Sequence, residues 1–325
     1  MFYPNGIENL DIEKINQKHS DKFKYFPDQC SYPLVSLNKI KKITMERNAI
    51  NFDLEENKED RFEFGKNWSN FLNHLTDSKV EEAQKSLSDF LNMKDLKGLR
   101  FIDVGCGSGL FSLAARKLGA TVYSFDYDPL CVACTEQLKK RFFEKDNEWF
   151  ITKGSVLDNN FVGTLGEFDI VYSWGVLHHT GKMWQAVKNA MDLVKRDGLF
   201  FIAIYNNQGW KSKFWWYIKF GYNKLPDFLK VPYALTLTGL FELINIIKYT
   251  ILLKPQVAIK PLLNYGKNRG MSYKYDAIDW IGGFPYEFAT TSELNSFFTK
   301  NNFCLVKTLD THGLGCNQLI FKKTD

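Results

Sequence analysis

From residue 100 onward, short apolar runs alternate with stretches whose apolar residues recur every three or four positions. The runs predict strands and the recurring stretches predict helices. Arg100–Val104 (RFIDV) is an apolar run ending at glycines, and Leu110–Leu118 follows as a helix. Thr121–Phe125 predicts a strand ending at Asp126, and Pro129–Lys140 a helix with proline in its first turn. Trp149–Thr152 and Phe168–Ser173 predict strands, Met183–Val194 a helix closed by Asp197 and Gly198, and Gly198–Tyr205 (GLFFIAIY) a continuous apolar strand. Strands alternating with helices imply a parallel sheet covered on both faces. Near the end, Ser292–Thr299 reads as a helix capped by Thr291 or Ser292. Phe303–Thr308 and Gln318–Phe321 then read as a hairpin.

Outside this alternation the chain changes character twice. Residues 1–62 are polar and show no strong period, which marks an N-terminal extension. Trp68, Phe71, Leu72 and Leu75, and then Val80 to Leu91, return to helix spacing. Residues 211–270 carry ten Lys or Arg against two acids (Asp227 and Glu242), a net of +8, so the rest of the chain carries −3 of the overall +5. The same block is aromatic, as in FWWYIKFGY at 214–222. The expected organisation is therefore an extension (1–62), a core (63–210), a basic aromatic helical insertion (211–270) and a C-terminal return to the core (271–325).

With 325 residues, 45% hydrophobic and 24% charged, the chain can bury a sizeable core. Its net charge is too small by itself to argue for nucleic acid. Six cysteines at 30, 106, 131, 134, 304 and 316 form no legible disulfide framework. Cys131 and Cys134 have the spacing of a redox or metal pair, but the helix reading puts both on one buried face with no second ligand pair nearby. The polar, acidic N-terminus is unlike a signal peptide, and the expectation is a reducing, cytoplasmic setting.

The densest chemical signal is Asp103, Gly105, Cys106, Gly107, Ser108 and Gly109, directly after a strand and before a helix. Glycines let a backbone turn sharply and approach a ligand. The carboxyl end of the first strand is where open α/β sheets bind cofactors. A dinucleotide site usually shows GxGxxG, with a pyrophosphate on the helix N-terminus. Here the spacing is GxGxG, with an acid two residues before the first glycine. That pattern suits S-adenosylmethionine, which has a sulfonium, an ammonium and a carboxylate but no phosphate. Asp103 faces its cationic end in this reading, and the loop amides face its carboxylate. Asp126, 17 residues after the last glycine, is placed to accept both ribose hydroxyls. A nicotinamide enzyme would need the third glycine one residue later.

Residues 99–206 resemble the class I S-adenosylmethionine-dependent methyltransferases. FIDVGCGSG is similar to the family's first motif, VYSFDYDP to its second, FDIVYSWGVLHHT to its fourth, and the strand at Gly198 to its fifth. ITKGSVLD departs from the third, with Ser155 where the family often has an acid; Ser155 or Asp158 would have to substitute. FGKNWSNFL (64–72) and RGMSYKYDAIDWIGGFPYE (269–287) resemble a branch similar to enzymes of quinone biosynthesis and to sugar and glycan methyltransferases. The resemblance implies a Rossmann-like sheet of seven strands with an antiparallel last strand. It implies S-adenosylmethionine contacts at Asp103, Gly105, Cys106, Gly107, Gly109, Asp126, Tyr127, Ser155, Val156, Ser173 and Trp174, with S-adenosylhomocysteine as product.

Methylating a hydroxyl requires alignment of the acceptor and removal of its proton. His178 and His179 follow the fourth strand and are the candidate bases, His179 first. Gly175, with Trp174, is placed at the methyl end. Tyr205, Asn206 and Asn207 end the fifth strand, where they orient a polar acceptor or simply turn the chain. Arg269, Tyr286 and Glu287 are acceptor contacts on the resemblance alone. The acceptor expected is a small molecule, a sugar or glycan hydroxyl first and a quinol or lipid second, with a non-catalytic binding protein as the competing reading. The segment SWGV stands where nucleic-acid amino-methyltransferases carry (N/D)PP(Y/F), so no nucleic-acid partner is expected, and no zinc or magnesium ligand set is evident.

Three roles compete for the basic insertion: a lid over the acceptor, which the pattern favours, an attractor of anionic acceptors, or a peripheral membrane surface. The run 231–253 is long enough to span a bilayer, but Glu242 and Lys248 interrupt it, each at a cost of about 2.5–3.5 kcal/mol near mid-membrane.

Overall fold

The computed structural model describes residues 62, 65, 72, 75–263, 273–311 and 313–324. The readings made at Trp68, Phe71 and Arg269, and nearly all of the N-terminal extension, lie outside these residues.

Seven strands form one sheet in the order β3-β2-β1-β4-β5-β7-β6. They are β1 (Arg100–Val104), β2 (Thr121–Asp126), β3 (Trp149–Lys153), β4 (Phe168–Trp174), β5 (Val194–Tyr205), β6 (Phe303–Leu309) and β7 (Cys316–Lys323). The first five are parallel, and β7 runs antiparallel between β5 and β6. Strands covered on both faces need apolar side chains throughout. Phe101, Ile102 and Val104 of β1 are accordingly fully buried, as are Phe200, Ile202, Ala203 and Ile204 of β5. Each large side chain buried in this way contributes about 1.5–3 kcal/mol over leaving it in water.

The helices are α1 (Asp77–Leu91), α2 (Leu110–Lys117), α3 (Pro129–Phe143), a single turn α4 (Asn159–Val162), α5 (Met183–Met191), α6 (Trp210–Lys224), α7 (Asp227–Ile251), α8 (Gln256–Leu263), α9 (Tyr273–Gly282) and α10 (Thr291–Thr299). The block after residue 210, irregular in its sequence pattern, thus folds as α6, α7 and α8. Two of the boundaries that differ from the pattern show their cause. Helix α5 stops at Met191 because Val194 already pairs with Phe168, and Asp197 takes a left-handed φ of 62° inside a strand that starts earlier than expected. Helix α10 is capped by Thr290, not Thr291 or Ser292. Thr290 Oγ1 accepts from the Glu293 amide and the Glu293 carboxylate accepts from the Thr290 amide, a reciprocal pair worth about 1 kcal/mol.

The strand order reverses beside β1: the chain goes out through β2 to β3, then crosses back to β4. The carboxyl ends of β1 and β4 lie beside that switch point, and the loops bearing the glycines and the two histidines emerge there.

Candidate active site

The turn after β1 is built for tight approach. Gly105, Gly107 and Gly109 have φ of 79°, 55° and 79°, the region that only glycine enters cheaply. A Cβ on Gly105 would lie 2.3 Å from Val176 Cγ1, and one on Gly109 would lie 2.7 Å from Thr135 Oγ1. The loop is therefore clamped between the turn after β4 and helix α3. Thr135 donates to the Cys131 carbonyl, so the Cys106 thiol is the donor in its 3.2 Å contact with Thr135 Oγ1.

The loop amides are largely spent inside the fold. Those of Gly105 and Cys106 donate to the Phe125 carbonyl, that of Gly107 to Asp126 Oδ2 at 2.9 Å, and that of Gly109 to the Cys106 carbonyl. This corrects the expectation that the amides at 105–109 jointly receive a ligand carboxylate; four of the five already have protein acceptors.

Asp103 is buried, and its Oδ2 accepts from Ser112 Oγ at 2.5 Å. Ser112 in turn accepts from Ser124 Oγ at 2.8 Å, which accepts from Trp149 Nε1 at 2.9 Å. This relay of donors ends on the carboxylate and holds it in place. Burial pushes the Asp103 carboxyl up from 3.8 to about 7, against the Ser112 hydrogen bond, with the negative charge of Asp126 adding to the rise. Asp126 ends β2 half-buried, and burial lifts it to about 6. Its Oδ2 accepts from the Gly107 amide and its Oδ1 from that of Asp128, and the Tyr127 amide also donates to the carboxylate. A carboxylate offers about four acceptor sites, so these amides leave it capacity for a ribose hydroxyl. Tyr127 follows, half-buried. Two acids at the rims of a glycine turn fit a positively charged nucleoside and oppose a pyrophosphate.

On the adenine side, Ser155 is buried and its Oγ accepts from the Leu157 amide, while the Val156 carbonyl accepts from Asn189 Nδ2 at 2.8 Å. Asp158 caps α4, its Oδ1 accepting from the amides of Asn160 and Phe161. Ser173 is fully buried, and its hydroxyl donates to the Val104 carbonyl, tying β4 to β1. Trp174 is half-buried, and Gly175 takes φ 74°.

The two histidines occupy different environments. His178 is fully buried; its Nδ1 accepts from the Tyr205 amide at 3.3 Å, and its ring lies 4.1 Å from that of Tyr205. Its Nε2 meets no hydrogen-bond partner among the described residues. Burial, aided by the charges of His179 and Lys219, holds it well below its usual pKa, so it is a neutral core residue. His179 is half-buried, and its Nδ1 lies 2.6 Å from the Pro285 carbonyl. A carbonyl only accepts, so Nδ1 carries a proton, which in the neutral ring leaves the lone pair on Nε2.

The acceptor-side residues are unequal too. Tyr205 and Tyr286 are buried with ring centroids 5.0 Å apart, forming an aromatic wall beside the histidines. Asn206 faces away from a ligand role: its Nδ2 donates to the Thr311 carbonyl at 2.7 Å and its Oδ1 accepts from Asn317. Asn207 makes a turn, its Oδ1 accepting from the Gly209 amide. The Glu287 carboxylate accepts from the Met183 amide at 3.0 Å and so anchors the start of α5. Sequence reasoning missed Lys219, a buried cation that donates to the Trp280 carbonyl and lies 5.1 Å from the Tyr286 ring centroid. Burial lowers it from 10.5 to about 7. Nothing in the sequence separates it from the other basic residues of its block. The Ser112–Ser124 relay was also missed; its only signal is the pairing of Ser124 with Asp103 across β1 and β2.

A methyltransferase-domain family matches residues 74–245. The chain is 27% identical over 135 residues to a ubiquinone biosynthesis O-methyltransferase of Pelagibacter ubique (strain HTCC1062), covering 42% of this chain and 52% of that protein. It is 36% identical over 86 residues to a ribosomal protein L11 methyltransferase of Campylobacter fetus subsp. fetus (strain 82-40), covering 26% and 28%. The chain thus spans about half, or less, of the curated relatives it matches. A magnesium protoporphyrin IX methyltransferase from Synechocystis PCC 6803, solved with S-adenosylhomocysteine, superposes with a TM-score of 0.43 at 16% identity, covering 88% of this chain and 94% of that one. With more than half of its length matched by that domain, the chain belongs to the methyltransferase family, the class I S-adenosylmethionine-dependent enzymes.

Proposed function

We propose that this protein transfers a methyl group from S-adenosylmethionine to a hydroxyl of a ring-bearing small molecule, with His179 as the base. The donor supplies a methyl group on a sulfonium. Asp126 holds the ribose side of the donor and Asp103 sets a negative field at its cationic end. His179 Nε2 takes the hydroxyl proton as the acceptor oxygen bonds the methyl carbon and the sulfur–methyl bond breaks. The observation that carries this reading is the fixed tautomer of His179, on a turn whose Val176 abuts the glycine loop.

Between the two acceptor classes raised by the sequence, the site favours a phenolic or quinol-like hydroxyl over a sugar. A sugar presents several hydroxyls and calls for several side-chain partners. Asn206 and Glu287 are already engaged by the backbone and by Asn317, whereas Tyr205 and Tyr286 form a buried aromatic wall with half-buried Trp174 packed against it. The relatives named for ubiquinone biosynthesis support the same choice. The layer of α6 and α9 behind this wall is read as the acceptor side.

The test is transfer of labelled methyl to a catechol and, separately, to a free hexose, by wild type and by His179→Ala. The variant is expected to lose about 10²–10⁴-fold in kcat with donor affinity unchanged. Wild-type turnover in His179→Ala would retire the base. Methylation of the hexose alone would retire the acceptor class. Donor binding with no transfer to any hydroxyl would favour a non-catalytic binding protein.

A further inference from the structure

Helix α7 has two apolar faces, and the described residues cover only one. Ala234 and Thr238 are buried, and Leu237 and Phe241 are half-buried against the cluster that holds Tyr205, Trp215, Tyr222 and Tyr286. On the other side Leu240, Leu243, Ile244, Ile247 and Ile251 stand 50–76% exposed, and Leu253 just beyond the helix is 87% exposed. Positions 240, 243, 244, 247 and 251 follow helix spacing, so they form one continuous stripe. The most apolar 18 residues of α7 have a mean hydropathy of 1.3, yet only 11% of that window is buried. Isolated exposed leucines need no explanation; a continuous stripe of this length marks an interaction surface.

We infer that α7 seats its outer face in the interfacial layer of an anionic lipid bilayer, lying in its plane. Charge selects the occupant. Lys248, Lys254 and Lys260 flank the exposed end of α7 and the start of α8, and residues 211–270 carry +8. A second copy would bring the same cations against themselves, whereas an anionic headgroup layer neutralises them. Helix α6 adds the aromatic component: Trp210, Phe214 and Tyr217 are 72%, 49% and 69% exposed at helix spacing, beside exposed Lys211 and Lys213. The inner face of α7 decides between lying on the bilayer and crossing it. Spanning would strip Ala234, Leu237, Thr238 and Phe241 from their packing and carry Glu242 and Lys248 into hydrocarbon. Seated in the plane, α7 keeps its packed side on the protein and buries only the stripe.

Flotation of the full chain tests this, using phosphatidylcholine vesicles with and without about one third phosphatidylglycerol. Binding is expected to the anionic vesicles and to weaken at least tenfold between about 0.1 and 0.5 M salt. The triple substitution Leu243→Glu, Ile247→Glu, Ile251→Glu should abolish flotation while leaving the melting temperature and donor binding unchanged, because these side chains touch solvent. Lys248→Glu with Lys254→Glu should remove the preference for anionic vesicles. Failure of the wild type to float with either vesicle overturns the inference. So does a wild type that is dimeric without lipid and becomes monomeric on the triple substitution, which would assign the stripe to a second copy.

Discussion

The buried carboxyl of Asp103 gives the most quantitative test of the site. Its oxygen accepts from Ser112, but no cation among the described residues offsets its charge, and burial raises its pKa from 3.8 to about 7. The folded state therefore binds a proton more tightly than the unfolded chain. Between pH 3.8 and about 7 the native protein holds more protons than the unfolded one, so this group lowers stability progressively as pH rises through that window. Linkage places the cost at about 2 kcal/mol at pH 5 and about 4 kcal/mol at pH 8. Asp103→Asn keeps a carbonyl oxygen for Ser112 and removes the charge. The variant should therefore gain on wild type by about 2–3 kcal/mol more at pH 8 than at pH 5. Urea unfolding of both proteins at the two pH values, without donor, measures the difference. Adding S-adenosylmethionine at pH 8 should then stabilise wild type more than the variant, because the cationic end of the donor supplies the missing partner. A stability difference that is the same at both pH values would refute the reasoning. Equal stabilisation of both proteins by the donor would remove Asp103 from the cationic end while leaving its buried charge intact.

Two other substitutions test neighbouring parts of the same structure. Asp126→Ala should weaken donor binding by about 1.5–3 kcal/mol, read by calorimetry, because it removes a charged acceptor of hydroxyl hydrogen bonds. In wild type the affinity should fall as pH drops through about 6, where this carboxyl takes up its proton; unchanged affinity in the variant would retire the ribose assignment. Gly105→Ala would place a Cβ 2.3 Å from Val176 Cγ1 at φ 79°, so it should cost more than about 2 kcal/mol and loosen the donor site. An unchanged urea midpoint would show that the contact between the loops after β1 and β4 does not constrain either of them.

The alternation of apolar runs and helical periods was enough to read the sheet, because parallel strands buried on both faces leave uninterrupted apolar segments such as Phe200 to Ile204. The glycine turn and its two flanking acids were legible for a related reason: only glycine enters those dihedrals cheaply, so the backbone writes its own geometry into the residue choice. What each polar side chain is spent on was not legible. His178 and His179 are adjacent in sequence, yet one ring is sealed under Tyr205 and the other fixes its proton on the Pro285 carbonyl, 106 residues away. Asn206 and Glu287 looked like acceptor contacts until their partners, the Thr311 carbonyl and the Met183 amide, came from distant segments. Likewise, the composition of α7 showed an apolar helix, but only packing against α6 and α9 determined which face the protein covers. Hydrophobic period is a local property of the chain. Hydrogen-bond partnership and burial depend on residues brought together from far apart, so they are decided only when the chain closes on itself.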